Sequence, residues 1–193
     1  MLDSLKNIQQ WVIWWPEALS DAKNKVAKRP RQANGALASV KEPGHWMSFD
    51  AAIQAAKRYK GKQAGVGFVL TDQDPIVLID LDNCIQNGEL TQTAKEIVYN
   101  LDTYTEVSVS GNGLHLLALG ALPGKGVNKK GVEIYDRGRF VALTFDIFEN
   151  RTEAEDRQDE ILELYENTVL NENTVLNENT VLNENTVLNE NTV

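Results

Sequence analysis

Ile76-Val77-Leu78-Ile79-Asp80-Leu81-Asp82 is the stretch on which the reading of this chain turns. An unbroken apolar run leads into Asp-x-Asp. The run is too short for a buried helix and bounded by turn residues, so it predicts a buried strand. On a strand, residues two apart share a face, so Asp80 and Asp82 project together while Leu81 turns to the other side. Two neighbouring carboxylates repel, and burying them unpaired is costly. A divalent cation relieves both, and Mg²⁺ is held by one or two carboxylates completed by substrate phosphates. Asp-rich turns are also common, and the same residues could cap the turn that follows.

Working outward, Gly65 to Thr71 predicts another strand, and Asp72-Gln73-Asp74-Pro75 a turn that would join it to the first as a hairpin. Gln10 to Trp15 reads as a strand stopped by Pro16, residues 2–8 as a short helix, and residues 16–46 as a polar, basic loop. Ser48 can cap a helix through Tyr59 that buries Phe49, Ile53 and Ala56. Thr91 opens a second helix with Ala94, Ile97, Val98 and Leu101 on one face. Glu106–Ser110 and Leu114–Leu119 predict strands around Gly111-Asn112-Gly113. Val132–Tyr135 and Arg139–Phe145 predict a hairpin around Asp136-Arg137-Gly138, and residues 153–165 an acidic helix. Hairpins mixed with helices predict an α+β fold with a largely antiparallel mixed sheet flanked by helices. Residues 1–148 form the expected main domain and 149–165 its acidic C-terminal helix. Residues 166–193 repeat Glu-Asn-Thr-Val-Leu-Asn, a period that drifts around a helix axis, and predict a low-complexity, disordered tail.

Two further segments carry candidate chemistry. In Ser108-Val109-Ser110-Gly111-Asn112-Gly113-Leu114-His115, the glycines allow close backbone approach, and successive N–H groups can form an anion nest. His115 can donate to a phosphate oxygen; a hairpin turn with a satisfied core histidine fits the same residues. In Val132-Glu133-Ile134-Tyr135-Asp136-Arg137-Gly138-Arg139-Phe140, Glu133 is a carboxylate in mid-strand, and Arg139 can grip phosphate or base. An exposed Glu on an edge strand beside a turn Arg is the plainer alternative. Trp11, Trp14 and Trp46 read as core, Trp15 as a surface ring. Cys84 and His45 look incidental.

The net charge of −9 speaks against a nucleic-acid partner until its distribution is read. The acidic excess lies beyond residue 148, and residues 1–148 carry 17 basic against 16 acidic groups. Basic residues there cluster as Lys23, Lys25, Lys28, Arg29 and Arg31, and as Lys57, Arg58, Lys60 and Lys62. Such patches hold phosphates or are merely solvated. One cysteine excludes an internal disulfide and suits a reducing cytoplasm. No apolar stretch reaches membrane-spanning length, so no membrane partner is expected.

The three segments, in this order, resemble the archaeo-eukaryotic primase superfamily, in particular the primase–polymerase domains of phages and plasmids. The resemblance rests on the apolar strand into Asp80-x-Asp82, Ser108-x-Ser110-Gly111-x-Gly113-x-His115, and Glu133 before Gly138-Arg139-Phe140. It extends to Gln10–Trp14, Ala27–Pro30, Trp46 with Phe49 and Ala52, and Gly65–Phe68, spanning about residues 5–148. It implies nucleotidyl transfer in DNA replication with a two-metal Mg²⁺ or Mn²⁺ site. Asp80, Asp82 and Glu133 would be the ligands, Glu133 standing where many relatives have Asp and Asp136 lying close by. Ser108, Ser110, Gly111, Asn112, Gly113 and His115 would hold the nucleoside triphosphate, with Lys28 and Arg139 as further phosphate or template contacts. The implied partners are nucleoside triphosphates, a DNA template (single-stranded or primer–template) and a separate helicase. Two rival readings remain: a non-catalytic replication-associated nucleic-acid-binding module, and a metal nickase. The latter wants paired histidines, whereas only His45 and His115 exist.

Overall fold

The computed structural model describes residues 5–18 and 26–169. Lys23, Lys25 and residues 170–193 of the repeat lie outside them. The elements are β1 (Trp11–Ala18), β2 (Val26–Arg31), α1 (Phe49–Arg58), β3 (Gly65–Leu70), β4 (Ile76–Leu81), the short pair β5 (Ile85–Gln86) and β6 (Glu89–Leu90), and α2 (Gln92–Leu101). β7 (Tyr104–Val107), β8 (Leu114–Leu119), β9 (Val127–Lys129), β10 (Val132–Tyr135) and β11 (Arg139–Leu143) follow. A final helix, α3, spans 158–169.

The architecture is α+β with antiparallel pairing in two principal sheets. One has the order β11-β3-β1-β2, the other β7-β8-β4-β10-β9, and β5-β6 stand apart. β4 is the centre of the five-stranded sheet, which suits an apolar strand buried on both faces. Its side chains alternate between two cores. Val77, Ile79 and Leu81 pack with Leu114, Leu116 and Ala118 of β8 beneath α2 and Ile161 of α3. Ile76 and Leu78 pack with Leu117, Tyr104 and the apolar residues of β1, β3, β11 and α1, which joins the two sheets. Asp80 follows Ile76 and Leu78 at the same alternation, so it faces the first sheet.

Both caps form as expected: the Ser48 hydroxyl accepts from the Ala51 N–H at 3.3 Å and that of Thr91 from the Ala94 N–H at 3.4 Å. α2 buries the expected face. α1 is turned slightly, with Ala52 and Ala55 fully buried and Phe49, Ile53 and Ala56 at the margin.

Several expectations need correction. β3 and β4 do not form a hairpin; they belong to different sheets. The intervening turn is a crossover, its Asp74 carboxylate accepting from the Thr71 N–H at 2.9 Å and from Gln10 Nε2 at 2.7 Å. β10 and β11 likewise separate, β10 pairing with β4 and β9, and β11 with β3. A short polar turn between strands fixes their proximity, not their pairing. β1 runs through Pro16 to Ala18, and part of the expected 16–46 loop is strand β2, with Pro16 opposite Lys28 and Pro30 opposite Trp14. β2 is the sheet's last strand and β3 pairs with β1 only through Trp14, so both prolines sit where a missing N–H is tolerated. Trp15 is buried, 5% exposed, contrary to its expected surface position. Of the helix expected over 2–8, residues 5–6 are helical and 1–4 lie outside the described residues. α3 begins at 158 rather than 153 and takes in the first four residues of the repeat.

Candidate active site

The antiparallel register places a polar row straight across the five-stranded sheet. Glu106 of β7 is opposite His115 of β8, which is opposite Asp80 of β4. Asp80 is opposite Glu133 of β10, and Glu133 is opposite Asn128 of β9. Directly opposed residues point to one face, so the row lies on the face turned to the first sheet. Glu133 is on an interior strand, not the edge strand of the plainer reading.

Asp80 sits at the middle of this row. Burial raises its pKa above the ordinary carboxylate value. The nearby His115 opposes the rise, the charges of Asp82 and Glu133 add to it, and Lys28 opposes it. The charges of two neighbouring carboxylates and of Lys28, on β2 of the other sheet, thus bear on Asp80. Asp82 falls one residue past the end of β4, exposed in the following turn, its N–H donating to the Gly131 carbonyl at 2.8 Å. Glu133 accepts from Asn128 Nδ2 at 2.8 Å. Asp136 is instead spent elsewhere. It accepts from Arg137 and from the Leu122 N–H. Although burial raises its pKa, Arg137 and then that N–H bring it net below the usual range. The Asp136 carboxylate is therefore committed, which favours Glu133 as the third acid.

His115 is 3% exposed yet not merely a core residue. Its Nδ1 bonds Glu106 Oε1 at 2.9 Å, and its Nε2 stands 3.9 Å from Asp80 Oδ1. Because the carboxylate is the acceptor, Nδ1 carries a proton in this arrangement and Nε2 is presented to the acidic site. Glu106 is fully buried. It also accepts from the Tyr104 hydroxyl at 2.7 Å, the Thr144 N–H at 3.1 Å and the Phe145 N–H at 2.9 Å. Burial, then the Glu106 charge and hydrogen bond, raise the Tyr104 pKa and keep that hydroxyl a donor. Sequence reasoning missed Glu106 and Asn128. Glu106 read as the first residue of a strand, and only the register, which sets it opposite His115, gives it meaning.

The Ser-rich segment is a turn rather than a strand extension, since β7 ends at Val107. Ser108 and Ser110 still meet, their hydroxyls 2.9 Å apart. The Ser110 hydroxyl donates to Asn112 Oδ1, and Asn112 Nδ2 donates to Asn83 Oδ1 at 2.8 Å. That last bond ties the turn to the residue following Asp82. Gly111 has φ +78°, open to glycine. A Cβ on Gly113 would meet the Leu81 carbonyl oxygen at 2.6 Å, so glycine lets the turn lie against the end of β4. Arg139 is exposed and stacks on Tyr135 at 4.5 Å, two residues along β10 from Glu133 on the same face. Burial pushes the Cys84 thiol up to about 11, so it stays protonated and takes no evident part.

Among the described residues no three His, Cys, Asp or Glu side chains converge as a preformed metal cage. The residues nonetheless fit a cation completed by substrate oxygens: burial, with the Asp82 and Glu133 charges, holds the Asp80 carboxyl above its usual range, and a divalent ion offsets both. An open groove of about 900 Å³ between α2, the β9–β10 turn and α3 meets the row at Asn128.

Fold and site together define an α+β domain that presents an acidic row beside a glycine-rich, hydroxyl-bearing turn. No family model matches the chain. The DNA primase-polymerase of Nitratiruptor phage NrS-1 is 32% identical to it over 169 residues, covering 83% of this chain and 22% of the phage protein. The chain thus spans less than a quarter of that relative's length. It belongs with the phage-type primase–polymerase domains. No helix among the described residues is long and apolar enough to cross a membrane.

Proposed function

We propose that the domain catalyses template-directed nucleotidyl transfer, as a DNA primase, a DNA polymerase or both. The observation that carries this reading is the register row in which Asp80 lies between His115 and Glu133, with the 108–113 turn tethered beside it. A primer 3′-hydroxyl oxygen attacks the α-phosphorus of a nucleoside triphosphate, the bond to the β-phosphate oxygen breaks, and pyrophosphate leaves. Asp80 and Asp82 hold Mg²⁺ or Mn²⁺, and Glu133 completes the acidic set. Two such ions, when bound, activate the attacking oxygen and neutralise charge developing on the phosphates. Ser108, Ser110, Asn112 and the backbone of Gly111 and Gly113 receive the triphosphate. His115, held by Glu106, offers Nε2 to it. Lys28 supplies positive charge from the facing sheet, and Arg139 contacts phosphate or template. Replication of a mobile element or its host, in the cytoplasm and with a separate helicase, is the setting that belongs to this reading.

The test is extension of a labelled primer–template by wild-type protein and by Asp80→Ala and Asp82→Ala. Loss of extension in both folded variants is the expected result; near wild-type extension by either overturns the assignment. A non-catalytic nucleic-acid-binding module would instead show no extension by any form, and no thermal stabilisation by Mn²⁺ with a nucleoside triphosphate.

A further inference from the structure

The two basic segments come together in space. The Arg31 guanidinium lies 4.1 Å from the Trp15 ring, and Lys62 Nζ lies 4.8 Å from the same ring. Tyr59, where α1 ends, packs on Trp15 at 5.0 Å. Arg58 reaches back to the Ala33 carbonyl at 3.0 Å, and Arg31 to the Gly35 carbonyl at 2.7 Å. Arg29 is opposite Trp15 in the β1–β2 register. Arg29, Arg58, Lys60 and Lys62 are exposed. Glu17 is the carboxylate in contact with this group, paired with Arg31 and 4.0 Å from Arg29. Leu37, bridged to Arg31, stands 52% exposed among them.

We propose that the outer edge of β2 and the turn after α1 form a docking platform for the phosphodiester backbone of the DNA strand that serves the active site. This rests on the nucleotidyl-transfer reading. The cations are spread along a strand and a turn rather than converging on one point, which suits a polyanion and not a single phosphate. The acidic row repels DNA, so a strand must be held by positive charge elsewhere. β2 links the two places: the charge of Lys28 bears on Asp80, and the next residue, Arg29, lies on the platform. The Trp15 ring, backed by Tyr59, stiffens the Arg31 and Lys62 heads, and exposed Leu37 offers an apolar contact to a sugar or base.

The experiment is fluorescence anisotropy of a short labelled single-stranded DNA with the full chain, in chelator and without nucleotide, across a salt series. The double variant Arg29→Gln/Lys60→Gln changes two exposed side chains and should keep the thermal transition. Its affinity should fall on the order of tenfold, and the slope of log affinity against log salt should become shallower by about 1.4, two phosphate contacts' worth. Unchanged affinity and slope overturn the platform. The two readings fail separately. A wild type that extends primers while the variant binds DNA normally loses only the platform. A wild type that binds through these residues but never extends loses only the transfer reading.

Discussion

At the residue scale, the account turns on charges that are uncomfortable without a ligand. Asp80 is raised by burial and by Asp82 and Glu133. A carboxylate raised on folding stabilises the fold only while protonated. That contribution is present at low pH and is lost as pH rises through the folded value. At neutral pH in chelator the Asp80 charge is therefore a burden, and Asp80→Asn should raise the thermal midpoint by about a few degrees. Adding Mn²⁺ with a nucleoside triphosphate should stabilise the wild type and not the variant. A lower midpoint for Asp80→Asn in chelator would show that the carboxylate is satisfied within the protein. His115→Ala should weaken nucleotide binding roughly ten- to a hundredfold, the worth of one charge-assisted bond, while template affinity holds. A destabilised variant that binds nucleotide normally would make His115 scaffold. Glu106→Ala strands the Thr144 and Phe145 N–H groups and His115 Nδ1 in the core. Its cost should be on the order of 3–5 kcal/mol, read by denaturant unfolding.

At the scale of elements, the β7–β8 turn is fixed by contact rather than by conformation alone. Gly113→Ala puts a methyl against the Leu81 carbonyl and should cost about 1–3 kcal/mol, with a matching loss of nucleotide affinity. A variant as stable as wild type would mean the turn can shift freely from β4. The same strands show what local sequence can and cannot tell. The identities of β4, β8 and α2 were legible, because an apolar run, an alternation and a capped periodic face each specify one element. Their partners were not. The turns 72–75 and 136–138 looked like hairpin loops, yet each carries the chain from one sheet to the other. β2 was hidden because Pro30 and its basic residues spoke for a loop, and only its edge position makes them compatible with a strand. The site was legible as three segments in order. Glu106 was not, because a strand glutamate becomes informative only once the register sets it opposite His115.

At the scale of the molecule, two antiparallel sheets share one core, and the acidic row lies on the face between them, with the Lys28 charge bearing on Asp80. Charge is divided accordingly: acidic beyond residue 148, basic at the β2 edge, and acidic again at the row. Removing residues 170–193, which hold no candidate site residue, should leave primer extension and the thermal transition nearly unchanged; a large drop in either would assign that segment a role in the folded domain. The most direct test of the central claim is single-nucleotide extension of a labelled primer–template, with Mg²⁺ and with Mn²⁺, comparing wild type with Asp80→Ala. The account predicts templated addition by wild type that needs the metal and disappears in a folded Asp80→Ala. Addition that persists in Asp80→Ala, or proceeds in chelator, would contradict it.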